Sequence, residues 1–175
     1  SDGNILPQGE AGELVVRSEC NALGYYNRPD AQAERFRDGW VYTGDIVSCD
    51  PDGWFTFRGR VDDQMQVGGE NVFPAEVENI LATHPEERDV CVVPVPHEVT
   101  GQVPVAFVVR NVGSKLSEKE LIEYYIARGP AYSHPRHIYF IDEMPLLGTG
   151  KTDLKALERQ AREPGSGTGP SSPAR

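Results

Sequence analysis

Three short stretches carry residue types able to do chemistry. The first pairs Tyr42-Thr43-Gly44-Asp45 with Gly59-Arg60-Val61-Asp62-Asp63, about fifteen residues further on. A carboxylate at Asp45 can accept two hydroxyl hydrogen bonds from a ribose, and a nearby Arg60 adds donors. The plainer reading is a turn after an aromatic strand, and spacing alone does not choose between the two. The second stretch is Val67-Gly68-Gly69-Glu70-Asn71-Val72-Phe73-Pro74. Its paired glycines permit positive φ and a close approach of backbone to a ligand, or form a tight hairpin before a helix.

The third stretch, Pro145-Leu146-Leu147-Gly148-Thr149-Gly150-Lys151-Thr152, is a loop between a predicted strand and a predicted helix. Gly-Lys-Thr there invites comparison with a phosphate-binding P-loop. The first glycine of that pattern would fall at Pro145, which donates no backbone N–H, so the comparison fails. What remains is a Lys on a glycine-rich loop, able to meet negative charge as a phosphate is displaced. His84, His97, His134 and His137 lack metal-ligand spacing, and no metal site is expected. The Tyr124-Tyr125 pair reads as helix packing.

The elements that must position these residues change character along the chain. The first sixty residues are turn-rich, with strands expected at Glu13–Arg17, Trp40–Tyr42 and Trp54–Phe57, a turn at Asp50–Gly53 and a candidate short helix at Ala31–Phe36. From Pro74 a helix is expected with Val77, Ile80 and Leu81 on one face, ending at His84-Pro85. Val90–Val95, Val103–Val109 and His137–Ile141 read as three strands. Ser117 with Glu120 forms a capping box ahead of a second helix, with Leu121, Ile122, Tyr125 and Ile126 as its buried stripe. A last helix is expected over Asp153–Ala161. The fold class is α+β: a short β-rich segment, then a small domain with a three-stranded sheet and flanking helices. From Glu163 the residues are mostly Pro, Gly, Ser and Thr, and disorder is expected.

The 175 residues hold 17 Lys and Arg against 27 Asp and Glu, a formal charge of -10. That argues against a nucleic-acid footprint, which is normally basic, but not against one bound nucleotide. Cys20, Cys49 and Cys91 are odd in number and share no zinc-type spacing, so a reducing, cytoplasmic setting is expected. No signal-peptide pattern and no apolar stretch long enough to cross a bilayer is present, and no oligomeric state is signalled. The opening run Ser1-Asp2-Gly3-Asn4 is turn-rich and hints at a fragment.

Taken in order, the motifs resemble the adenylate-forming superfamily of acyl-CoA synthetases, aryl-CoA ligases, luciferases and peptide-synthetase adenylation domains. The resemblance runs from about Gly9 to Ala161. It rests on Gly12-Glu13-Leu14-Val15-Val16, on Gly24-Tyr25-Tyr26-Asn27-Arg28-Pro29 with Phe36, and on Asp38-Gly39-Trp40-Val41-Tyr42-Thr43-Gly44-Asp45. Gly53-Trp54, Gly59–Asp63, Gly68–Glu78 and Gly148-Thr149-Gly150-Lys151 complete it. The terse Gly-Gly-Glu-Asn form resembles CoA ligases more than peptide-synthetase domains.

The resemblance implies that Asp45 binds the ribose hydroxyls of ATP and AMP with Arg60 beside it. It makes Asp62 the hinge between residues 1–61, the end of a large domain, and residues 62–162, a rotating lid domain. It places Lys151 at the carboxylate and α-phosphate in the first half-reaction. Gly68, Gly69, Glu70 and Asn71 line the thioester side, where the thiol of CoA attacks. A solvated Lys stays protonated at neutral pH, so Lys151 acts electrostatically and not as a base. Gln66 stands where relatives carry Lys or an aliphatic residue, and Thr152 where an aliphatic residue is commoner.

The superfamily's Ser/Thr/Gly-rich phosphate loop, adenine pocket and most of its acyl pocket have no counterpart here, and Mg2+ would be held mainly by that other portion. The function implied is an ATP-dependent carboxylate–CoA ligase, represented by its carboxy-terminal portion and inactive alone. Two rivals remain: transfer to an acyl carrier protein in place of CoA, and a non-catalytic interaction module.

Overall fold

The structure, a computed structural model, describes residues 3–162; the disordered tail expected at 163–175 lies outside the described residues. The chain forms two units that divide between Gln64 and Met65.

The first unit is a four-stranded sheet built around one long strand. Its strands are β1 (Ala11–Val16), β2 (Phe36–Arg37), β3 (Trp40–Cys49) and β4 (Phe55–Arg60), with helix α1 (Pro29–Arg35) before β2. Strands β1, β2 and β4 all pair antiparallel with β3. Asp38 and Gly39, both at positive φ, make the two-residue turn between β2 and β3. The turn expected at Asp50–Gly53 joins β3 to β4, with Asp50 Oδ1 accepting from the amides of Asp52 at 3.0 Å and Trp54 at 2.9 Å. A 3-10 turn, Val61–Asp63, ends the unit and holds Asp62.

Among the described residues, no apolar side chain of this unit is buried; the fully buried apolar side chains run from Met65 to Leu157. Trp54, and Phe55 and Phe57 on β4, are exposed. A sheet normally buries one apolar face against another layer, and this one has no such layer of its own.

The second unit is a five-stranded sheet with helices on both faces. Strands β5 (Met65–Val67), β6 (Glu70–Val72), β7 (Glu87–His97), β8 (Gly101–Arg110) and β9 (His137–Phe140) alternate with helices α2 (Pro74–Leu81), α3 (Glu118–Ile126) and α4 (Leu154–Arg162). The order is β6-β5-β8-β7, and β9 runs parallel to β8 over Val105–Val108. The three strands read from the sequence are β7, β8 and β9, so the three-stranded expectation is corrected to five. The two additions, β5 and β6, are three residues each, too short to carry a period-two pattern.

Strand β8 is buried from Val103 to Val109 because it is covered on both faces. Ala106 and Val108, with Val92 of β7, pack against Val77 and Leu81 of α2 and Leu121 and Tyr125 of α3. Val105, Phe107 and Val109, with Cys91 and Val93, pack against Leu157 of α4. The capping box forms: Ser117 Oγ accepts from the Glu120 amide at 3.3 Å, and Glu120 Oε2 accepts from the Ser117 amide at 2.9 Å. Ile126, expected in the buried stripe of α3, is instead 48% exposed. Leu121 and Tyr125 carry the contact, and Ile126 falls at the flank of the last turn. Asp153 Oδ1 accepts from the Ala156 amide at 3.0 Å and caps α4.

Candidate functional site

Thr43, Gly44 and Asp45 are not the turn of the plainer reading; they lie inside β3 and bulge from it. Glu13 pairs with Ile46 and Val15 with Tyr42, so these three residues face the single Leu14 of β1. A bulge of this kind interrupts the ladder and re-aims a side chain. Side chains take up the backbone groups it frees. Thr43 Oγ1 donates to the Leu14 carbonyl at 2.8 Å and accepts from the Asp45 amide at 3.1 Å. The Gly44 amide donates to Glu13 Oε1 at 3.1 Å. Gly44 sits at φ +74, and a Cβ there would overlap the Arg35 guanidinium and reach 3.0 Å from Arg60 Nη2.

On the other edge of β3, Asp45 is the register partner of Arg60 in β4. Arg60 Nη1 donates to Asp45 Oδ1 at 2.6 Å, and its Nη2 reaches the Thr43 carbonyl at 3.4 Å. Among the described residues Asp45 Oδ2 accepts no hydrogen bond, which leaves a fixed carboxylate with one open oxygen. Nearby, Arg35 Nη2 donates to Asp62 Oδ2 at 3.0 Å, and Arg35 Nε lies 3.2 Å from Glu34 Oε1. Burial pulls the Arg35 pKa down, but the hydrogen bond to Asp62 and the charges of Glu34, Asp62 and Glu13 outweigh it, and the net shift is upward. That guanidinium is a permanent cation lodged between the bulge and the 3-10 turn.

The remaining expected site residues lie in the second unit. Gly68 and Gly69, at φ +61 and +93, form the two-residue turn of the β5–β6 hairpin. Glu70 and Asn71 follow on β6; Asn71 Oδ1 accepts from Gln66 Nε2, its register partner, and Glu70 is exposed. Lys151 stands on a tight turn, its carbonyl accepting from the Leu147 amide at 2.7 Å, with Leu146 bridged to Thr152. Among the described residues its ammonium has no hydrogen-bond or ion-pair partner. The structure thus joins Asp45 to Arg60 by direct contact and Asp62 to Arg35, while among the described residues no bond links Lys151 with the Gly68-Gly69 turn. Sequence reasoning quoted Glu13 and Thr43 within motifs but gave neither a role at the site, and it did not single out Arg35. No spacing signals Arg35, whose partner is 27 residues away. No cluster of three or more His, Cys, Asp or Glu suited to a metal ion occurs among the described residues.

Residues 76–151 match the family model of the AMP-binding enzyme C-terminal domain. The chain is 40% identical over 149 residues to a feruloyl-CoA synthase of Amycolatopsis, covering 85% of this chain and 30% of that protein. The structure of the amide bond synthetase McbA from Marinactinospora thermotolerans is similar with a TM-score of 0.85 and 31% identity, over 90% of this chain and 32% of that one. O-succinylbenzoate coenzyme A synthetase from Bacillus subtilis, solved in complex with AMP, gives a TM-score of 0.81 and 30% identity, over 93% of this chain and 32% of that one. The chain therefore spans about a third of the length of these relatives. Over residues 76–151 it matches the carboxy-terminal domain of AMP-binding enzymes, and over most of its length it is similar in sequence and fold to adenylate-forming ligases.

Proposed function

We propose that this chain is the carboxy-terminal part of an ATP-dependent carboxylate–CoA ligase. The observation that carries the reading is the Asp45 carboxylate. Arg60 holds one of its oxygens at 2.6 Å, the Thr43–Asp45 bulge fixes its backbone, and the other oxygen is open to a diol such as a ribose. Similarity to a CoA synthetase solved with AMP supports a nucleotide at that place.

In the first half-reaction a carboxylate oxygen attacks the α-phosphorus of ATP, and the bond to pyrophosphate breaks as the new P–O bond forms. Lys151, unpaired and exposed, stabilises the negative charge that develops. In the second, a thiol sulfur attacks the acyl carbon, the bond to AMP breaks, and the thiol proton leaves to solvent. The Gly68-Gly69 turn, with Glu70 and Asn71, serves this thiol side. Asp62 is the hinge about which residues 62–162 turn between the two half-reactions. Mg2+ would be held by residues outside this chain and would screen the charge of the phosphates. The first unit, with no buried apolar side chain among its described residues, fits the margin of a larger domain. On this reading the 175 residues alone form no acyl-adenylate.

The similarity to an amide bond synthetase favours a second acceptor, an amine in place of the thiol. The test uses the full-length polypeptide that contains this chain: pyrophosphate exchange over a panel of carboxylates, then CoA, a loaded acyl carrier protein and amines as competing acceptors. Lys151→Ala is expected to slow adenylation by about 100-fold while thioester formation from supplied acyl-AMP stays nearly unchanged. Equal loss in both half-reactions would sink the role given to Lys151.

A further inference from the structure

The Gly68-Gly69 turn does not stand alone; it is tied to the tip of the β7–β8 hairpin. The Gly68 amide donates to the Thr100 carbonyl at 3.0 Å. Val67 pairs with Gly101, and the Gln66 amide donates to Gln102 Oε1 at 2.9 Å. The β5–β8 pairing is a single residue pair, so a few bonds from the tip set where the turn sits.

That tip is itself held by one side chain. His97 ends β7 and Gly101 opens β8, with Glu98, Val99 and Thr100 between them. His97 Nδ1 lies 3.3 Å from the Thr100 amide nitrogen and accepts from it, so the ring proton sits on Nε2. The Thr100 hydroxyl donates to the Gln102 carbonyl at 2.9 Å and lies 3.0 Å from the same Nδ1. Thr100 is therefore held at its amide by His97 and at its hydroxyl by the Gln102 carbonyl, and its own carbonyl accepts from Gly68.

We infer that His97 is a positioning residue for the thiol-transfer step: through Thr100 it holds the Gly68-Gly69 turn in place. It touches no substrate. The inference rests on the assignment of that turn to the thiol side.

An acceptor three residues before an amide is a service that Asn performs as well as His, whereas Ala cannot. Hydrogen exchange of the Gly68 amide in this chain is the first reading. His97→Ala is expected to speed it by about 10-fold, the worth of one net hydrogen bond, and His97→Asn to restore it. The Phe107 and Val108 amides of the core strand serve as the internal control for global unfolding. In the full-length protein His97→Ala is expected to slow thioester formation by about 10-fold, with pyrophosphate exchange unchanged and His97→Asn rescuing. Unchanged Gly68 exchange in a folded His97→Ala chain overturns the inference, as does equal slowing of both half-reactions or failure of Asn to rescue. A wild-type protein that adenylates a carboxylate but accepts no thiol overturns the acceptor assignment instead, and the exchange rate still shows whether His97 holds the turn.

Discussion

The ion pair between Asp45 and Arg60 has ideal reach, yet both side chains are partly exposed, at 32% and 44%. A pair of that kind adds at most about 1 kcal/mol to stability, so its value lies in aiming the carboxylate. Asp45→Ala should therefore leave the melting temperature nearly untouched. In the full-length enzyme the same change should raise the KM for ATP by 10-fold or more, because hydrogen bonds to a charged acceptor are worth about 1.5–3 kcal/mol each. A large fall in melting temperature with an unaltered KM would assign Asp45 to structure. Gly44, beside it, is constrained twice, by φ +74 and by the Arg35 guanidinium lying where a Cβ would go. Gly44→Ala should cost about 1–3 kcal/mol in a denaturant titration, since left-handed backbone penalises a Cβ and Arg35 cannot retreat without loosening its bond to Asp62. A neutral result would mean that the bulge relaxes freely. None of this is written in the motif itself. Asp45 and Arg60 were legible by type, but the bulge that carries Asp45 needs Leu14 and Glu13 of another strand.

Elements of the second unit follow local rules closely. Helix α3 starts where the capping box says, and α4 starts after Asp153, one residue from where its pattern begins. Ser117→Ala should destabilise the chain by about 1 kcal/mol at neutral pH, measured by urea unfolding. The Glu120 carboxyl is held below its ordinary value by the Ser117 hydroxyl first and the Ser117 amide next. A depressed carboxyl pKa contributes stability that is complete above the unfolded value, about 4.5, and is lost as pH falls through the lower folded value. The difference between wild type and Ser117→Ala should accordingly narrow as pH drops below 4.5. A gap that stays constant into acid would remove Glu120 from the cap. The β5–β6 hairpin is the opposite case. Its glycines announce a turn, but two three-residue strands have no periodicity, and their place in the sheet comes from pairing with β8 across a gap in sequence.

At the scale of the molecule, the two units differ in what they bury. The second has its own core on both sides of β8, and the first has exposed aromatic residues on β4 and no buried apolar side chain among those described. With about a third of its relatives' length, the chain should give no pyrophosphate exchange by itself. An antibody to it should detect in its source cell a polypeptide about three times its 19.3 kDa. A source-cell band at 19.3 kDa, or exchange by the isolated chain, would overturn that reading. The sequence by itself determined the order of motifs, the α+β alternation, the caps and the main strands. Those depend on contacts within a few residues, where propensity and hydrogen-bonding chemistry act directly. Only the tertiary structure decided the bulge at Thr43–Asp45, the Arg35–Asp62 pair, the fourth and fifth strands of the second sheet and the tie from His97 through Thr100 to Gly68. Each joins residues from separate elements, and the register between elements is set by how the chain folds back, which no local pattern encodes.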